Sequence, residues 1–292
     1  MQVSFLIVTK NRAAALAFTL NKLKAQIDLS VHEVLVFIDG CKATEALIEH
    51  YNWVQWTISE KSISASPARN ALYKKATGAI FIGLDDDAHP LTADFITKVQ
   101  AQFNSNETLG IIAFQEIRGV FDADETALSN FKEKDSYFTN DFIGCGFAIK
   151  KSVYHQTNGF PVWMTIYGEE PALALEVLDL GYAIYYENSI AVNHRVDAKK
   201  RMEQRRNYFR FEHQLRNSIR FYMVYYPNPF FKVIKLLVHN FKKYSVTDFH
   251  FFRLYSKVVF TFLMQIGSIL SYRKPVKKET LQKRKQLKSM NY

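Results

Sequence analysis

"GAIFIGLDDDAHPLTADFITKVQAQF" (78–103) decides the fold, because it sets an apolar run, an acidic turn and a helical segment one after another. The run 79–84 is apolar throughout rather than alternating, which is how a strand buried on both faces reads. Gly78 stands where a preceding helix should end. At the end of the run Asp85, Asp86 and Asp87 lie side by side. Their mutual repulsion destabilises a fold unless something cationic arrives, so the turn is either merely solvated or holds a metal ion.

The same strand-then-helix unit recurs on both sides. "VSFLIVT" (3–9) precedes an amphipathic run from Arg12 to Gln26; "EVLVFID" (33–39) precedes "ATEALIEHY"; "WVQWTIS" (53–59) precedes "PARNALYKKATG"; "LGIIAFQ" (109–115) follows the opening stretch. Pro67 sits where a first helical turn tolerates proline. Apolar runs alternating with helices predict an α/β fold with a mostly parallel central sheet flanked by helices. Ligands of such sheets gather at the carboxyl ends of the strands, where Asp39 and the aspartate triplet fall. Residues 116–142 lack a strong period and read as a long surface loop. Gly144 and Gly146, in "FIGCGFAIKK" (142–151), suggest close approach of the backbone to a ligand. A helix should open at Glu169 and close at Gly181, passing into a strand that ends at His194.

The 292-residue chain has a net charge of +10, unevenly spread. Residues 1–194 carry 15 Lys/Arg and 23 Asp/Glu, a balance of −8, whereas residues 195–292 carry 23 and 5, a balance of +18. The split predicts a body at 1–195 and a basic, aromatic-rich helical region at 196–292 that meets an anionic partner. "KKRMEQRRNYFRFEHQLRNSIRFYMVYY" (199–226) reads as a long basic helix ended by Pro227 and Pro229. The uncharged run 258–271 is shorter than the ~20 residues a spanning helix needs, and suits the membrane plane or a shallow insertion. The tail "KKETLQKRKQLK" (277–288) reads as solvated or lipid-facing. Nucleic acid is the rival partner, but no nucleic-acid motif is present. Cys41 and Cys145 are the only cysteines, which excludes a disulfide scaffold or CxxC zinc site and fits a reducing compartment. The apolar run at Val3–Val8 is too short for a signal-peptide core.

Each candidate site residue has two readings. Asp85 and Asp87, at alternate positions, could face one Mg²⁺ or Mn²⁺, or the triplet could serve a turn. Asp39 could accept from a base or ribose, or only make the "DG" turn. Arg69 and Asn70, just inside a helix, could reach a nucleotide; Arg12 could approach phosphate or stay solvated. Glu169 and Glu170 either answer the helix dipole or supply a general base. His194 could give a neutral nitrogen to the same metal, or be structural.

In order along the chain, "FLIVTKNR" (5–12), "EVLVFIDG" (33–40), "SPARNALYKKATGAIFIGLDDDAHP" (66–90), "GCGFAIKKSVYHQTNGF" (144–160) and "YGEEPALALEVLDLGY" (167–182) resemble the family 2 glycosyltransferases of GT-A fold. The likeness runs from Val3 to His194. The stretch "RNSIRFYMVYYP" is similar to the tail of rhamnosyltransferase-like members that work on lipid-linked glycans. The resemblance implies a Rossmann-like GT-A domain with a C-terminal helical extension. Asp39, Arg69, Asn70, Asp86, Thr9 and Arg12 would then contact the nucleotide sugar, and Asp85 and Asp87 would match the DxD pair on the metal. His194 would match a metal-ligating histidine found in some members, and Glu170 the base position of an ED motif, here Glu-Glu, with Glu169 its neighbour. The implied activity is inverting transfer from a nucleoside-diphosphate sugar to a hydroxyl of a glycan or lipid-linked glycan. The implied setting is an anionic membrane surface at the cytoplasmic face, without nucleic acid. The rival reading is a non-catalytic sugar-nucleotide binder.

Overall fold

A computed structural model describes residues 2–197 and 208–290. The strands are β1 (Val3–Thr9), β2 (His32–Asp39), β3 (Val54–Ser59), β4 (Ile80–Asp85), β5 (Ala88–Pro90), β6 (Leu109–Arg118), β7 (Tyr137–Thr139), β8 (Gly146–Lys150) and β9 (Ala183–His194). They form a sheet in the order β3-β2-β1-β4-β8-β6-β9-β5, with β7 paired to β9. β1 pairs in parallel with β2 and β4, β2 with β3, and β6 with β9, while β8, β5 and β7 run antiparallel to their neighbours. The mostly parallel sheet expected from the apolar runs is therefore present.

Strand alternation divides the core into two layers. Phe5, Ile7, Val34, Val36 and Ile82 pack on one face, below the helices Ala13–Lys24 and Phe95–Ser105. Leu6, Leu35, Phe37 and Phe81 pack on the other, below Ala65–Tyr73 and Glu169–Asp179. Burial on both faces explains why the runs carry no polar alternation. The carboxyl ends of β1, β2 and β4 consequently open on one edge, carrying Thr9, Asp39 and Asp85 to it.

Three readings of the sequence are corrected. "ATEALIEHY" is not one helix: the chain makes a four-residue turn of helix at Lys42–Glu45 and a 3₁₀ turn at Ile48–His50. So short a segment gains too few backbone bonds to offset helix nucleation. Residues 116–142 are not one loop: β6 runs on to Arg118, a short helix covers Asp124–Leu128, and β7 joins the sheet. These elements are held by distant partners, such as Lys22 on Asp124, and so leave no local period.

The tail, expected to be solvated or lipid-facing, is docked. Its helix Lys278–Gln286 starts where the Lys277 amide and the Thr280 hydroxyl both donate to Oδ1 of Asp179. Thr139 and Lys288 then form a bridge, and Met290 enters the core layer with Phe142. The lysines and arginines hide this docking in the sequence, because it is made through backbone and small polar groups.

The long basic helix is described from Tyr208 to Tyr225; residues 198–207 of that expectation lie outside the described residues. Helices Pro229–Asn240 and Phe249–Leu270 follow it. They share an apolar cluster with Met164, Ala172 and Leu175 of the body. No helix among the described residues is long and apolar enough to cross a membrane.

Candidate active site

Pairing of β5 with β9 assembles the first half of the site. It sets Ala88 opposite His194, and the amide of Arg195 donates to the carbonyl of Asp87 at 2.9 Å. The imidazole is thereby brought to the aspartate turn: Nε2 of His194 lies 3.3 Å from Oδ1 of Asp87 and 3.9 Å from Oδ2 of Asp85. Asp85, Asp87 and His194 each offer one ligand atom within 4.8 Å of the others. Asp86 turns the opposite way and is fully buried. Its carboxylate accepts from Thr9 at 2.7 Å and pairs with Arg12 at 2.5 Å, while Thr19 holds its carbonyl. Burial pushes the Asp86 carboxyl up to about 7, with Arg12 and Thr9 opposing the rise.

Arg69 joins this half to the second. Its guanidinium reaches Asp85 at 2.7 Å, Glu170 at 2.9 Å and Glu169 at 3.4 Å. Gly144 leaves room for this pair, since a Cβ there would lie 2.4 Å from Oε1 of Glu170 and 2.8 Å from Nη2 of Arg69 and would push their charged ends aside. The two glutamates differ: the side chain of Glu169 is 4% exposed and that of Glu170 19%. Burial, then the charge of Glu170, pushes the Glu169 carboxyl up to about 8 against the pull of Arg69. The loop that leads into them is held by the C-terminal region. Asn217 donates to the carbonyls of Ile166 and Tyr167, at 2.7 and 2.9 Å, just where Tyr167 and Gly168 take positive φ of 70° and 107°.

The cluster fits a divalent ion. Two carboxylate oxygens and one imidazole nitrogen form a hard-to-borderline donor set suited to Mg²⁺ or Mn²⁺. Oδ1 of Asp87 is buried without a hydrogen bond, although it faces the imidazole. Glu116 accepts from Nδ1 of His194, which aims Nε2 at the aspartates as an outer carboxylate does in metal sites. Arg118 in turn pairs with Glu116 at 2.8 Å. Burial opposes a charge on His194, but the nearby Asp87, Cys145 and Glu116 outweigh that and push it up to about 12. The imidazolium is thus a countercharge that a dication could replace. Glu116, Cys145 and His194 form a second convergent group. Burial pushes the Cys145 thiol up to about 12, so it is a poor ligand.

The remaining residues singled out in the sequence lie as follows. Asp39 is at the expected strand end, but its carboxylate is occupied by the Ser62 hydroxyl and the amides of Ile63 and Ser64. Asn70 is not brought into the site: buried, it donates to the carbonyls of Asn158 and Phe160. Thr9 meets Asp86 rather than open space, and Arg12, half exposed, ties Asp86 to Asp87. Glu116, Asn217 and Arg195 escaped the sequence reading. Arg195 braces the turn by donating to Thr19 at 2.6 Å while its guanidinium lies over Phe18. A carboxylate at the carboxyl end of β6 was the available sign for Glu116.

Residues 4–158 match the family model described as "Glycosyl transferase family 2", so the chain belongs to glycosyl transferase family 2. Among solved structures it is similar to a mannosyltransferase from Pyrobaculum calidifontis in complex with GDP-Man and Mn²⁺, with 15% identity and a TM-score of 0.60. That likeness covers 97% of this chain and 83% of the other. S. aureus TarS 1–349 gives 15% identity and a TM-score of 0.56, covering 84% and 73%. GalNAc-T7, crystallised with UDP, GalNAc and Mn²⁺, gives 15% and 0.59, over 78% of this chain but only 48% of its own. These likenesses are of fold, and the fold is GT-A. No curated protein matches the chain.

Proposed function

We propose that the chain is an inverting hexosyl- or deoxyhexosyltransferase that moves a sugar from a nucleoside-diphosphate donor, a UDP- or dTDP-sugar, to a hydroxyl of a glycan or lipid-linked glycan. The carrying observation is the convergence of Asp85, Asp87 and His194 beside an Arg69-linked pair of glutamates. Family membership and the donors and Mn²⁺ named in the two neighbouring complexes support it. Asp85, Asp87 and His194 would hold Mn²⁺ or Mg²⁺, which when bound supplies Lewis-acid stabilisation of a diphosphate leaving group. Glu170 is the base. It is the more exposed glutamate, so an arriving hydroxyl can give it a proton as oxygen attacks the anomeric carbon. Glu169, buried behind it, and Arg69 hold its carboxylate in place. Asp86, Thr9 and Arg12 fix the aspartate turn, while Asp39 fixes the 62–64 segment beside the end of β2, where the nucleotide would lie.

The proposed enzyme acts at an anionic membrane on the cytoplasmic face, in polysaccharide assembly. Phe231, Phe249 and Met264 are 73%, 75% and 72% exposed on neighbouring C-terminal helices, interleaved with Lys232, Lys235 and Lys257. Side chains of this kind lie in the membrane plane.

Nucleotide release from a panel of UDP-, dTDP- and GDP-sugars with Mn²⁺ and a crude lipid acceptor tests the reading. Glu170→Gln should lower turnover by about 10²–10⁴-fold while keeping donor affinity. Full turnover in this variant, or its loss only in Glu169→Gln, contradicts the assignment.

A further inference from the structure

Docking of the tail leaves a groove of about 470 Å³ between the Asn140–Asp141 loop, the end of the Tyr208–Tyr225 helix and residues 281–290. That volume lies in the range of small-molecule sites. Its walls are built rather than loose. Nδ2 of Asn140 donates to the carbonyls of Arg284 and Leu287 at 3.0 and 3.3 Å, and the Thr139 hydroxyl donates to the carbonyl of Lys288 at 2.9 Å.

The polar groups lining it are largely uncommitted. Asp141 spends Oδ1 on the amide of Phe142, which leaves Oδ2 for a ligand. Arg284 lies over the Phe221 ring, and among the described residues neither it nor Lys285 forms an ion pair. The Tyr226 hydroxyl has no protein hydrogen bond among those residues. A carboxylate that accepts, cations that donate and a phenol that does both match the vicinal hydroxyls of a sugar ring.

The groove also stands beside the base. Asp141 opens the run that ends at Gly144, whose Cβ would touch Glu170. Three residues of chain span at most about 10 Å, so one small ligand could reach both. Burial pushes the Asp141 carboxyl up to about 7, with the Phe142 amide and the charge of Arg284 opposing the rise and that of Glu170 adding to it, so Asp141 is within electrostatic reach of both the tail cation and the base.

We infer that this groove is the acceptor subsite: it binds a neutral sugar unit of the acceptor glycan through Asp141, Tyr226, Arg284 and Lys285 and delivers its hydroxyl to Glu170. The inference rests on Glu170 as the base. It makes the basic tail part of the specificity of the enzyme.

The test is saturation-transfer NMR on the full chain with diamagnetic Mg²⁺ and UDP present, using methyl hexopyranosides and methyl 6-deoxyhexopyranosides. At least one glycoside should receive saturation. Asp141→Asn, which is isosteric, and Arg284→Ala should each weaken its binding by about tenfold or more, and Glu170→Gln should not. An unchanged melting temperature in Asp141→Asn excludes loss of folding as the cause. Absence of binding by every glycoside, or equal binding by both groove variants, overturns the inference. So does binding of inorganic pyrophosphate in their place, abolished by Arg284→Ala, which would mark an anion site. Loss of glycoside binding in the groove variants together with full turnover by Glu170→Gln would instead sink only the base assignment.

Discussion

Replacing Arg69 by methionine keeps most of its stem and removes the charge that ties Asp85 to the two glutamates. The three ion pairs broken by this change measure 2.7, 2.9 and 3.4 Å. At an effective dielectric of about 20 the pairs with Asp85 and Glu170 are each worth roughly 6 kcal/mol of gross attraction, most of it offset by desolvation, and Glu169 adds its share only above about pH 8, where it ionises. Removing one partner of a buried pair costs about 3–5 kcal/mol. Asp85 and Glu170 keep 27% and 19% exposure, so water softens the loss to about 3 kcal/mol. The deficit should depend on pH. Glu169 is held up to about 8 in the folded protein. Its value in the unfolded chain is about 4.3, so the folded state binds the extra proton between these limits. Stability from this group therefore falls as pH rises from about 4.3 to about 8. Without Arg69 the folded value rises further, so the deficit of Arg69→Met should be larger at alkaline than at acid pH. Urea unfolding at about pH 5.5 and pH 8.5, with unchanged m-values, measures it. A deficit below about 1 kcal/mol at the higher pH, or an equal one at both, refutes the reasoning.

Glu116→Gln should weaken Mn²⁺ binding by about 10–100-fold, read from the electron paramagnetic resonance of free Mn²⁺; unchanged affinity contradicts the outer-carboxylate role. Asn217→Ala abandons two backbone carbonyls at the loop before Glu169 and should cost about 1–3 kcal/mol. It should lower kcat more than it weakens nucleotide affinity, and the reverse pattern counts against a positioning role. Phe231→Glu with Leu263→Glu charges two side chains that are 73% and 61% exposed and should abolish flotation with anionic liposomes. Flotation equal to wild type removes the membrane from the account.

The sheet was legible because burial on both faces leaves a contiguous apolar run for each strand. The aspartate turn was legible because its position at the end of β4 is local. The partners of that turn were less so. Glu116 lies 78 residues from His194 and meets it only through the β6–β9 pairing, which no local pattern announces. Asp39 and Asn70 were read from their places beside recognisable motifs. Their side chains are spent on the 62–64 and 158–160 backbones, whose course depends on tertiary packing. The tail misled for a related reason: a helix covered in lysines can dock through its first amides and last carbonyls while its charges still face water.

In the proposed enzyme Asp85, Asp87 and His194 hold one divalent ion on which the donor diphosphate depends. Paramagnetic resonance titration of the full chain with Mn²⁺, in the presence of whichever of UDP, dTDP or GDP raises its melting temperature most, tests it directly. One ion per chain should bind in the wild type and in Glu170→Gln, and be lost in Asp87→Ala and His194→Ala with folding intact. Retention of that ion in both ligand variants would contradict the account.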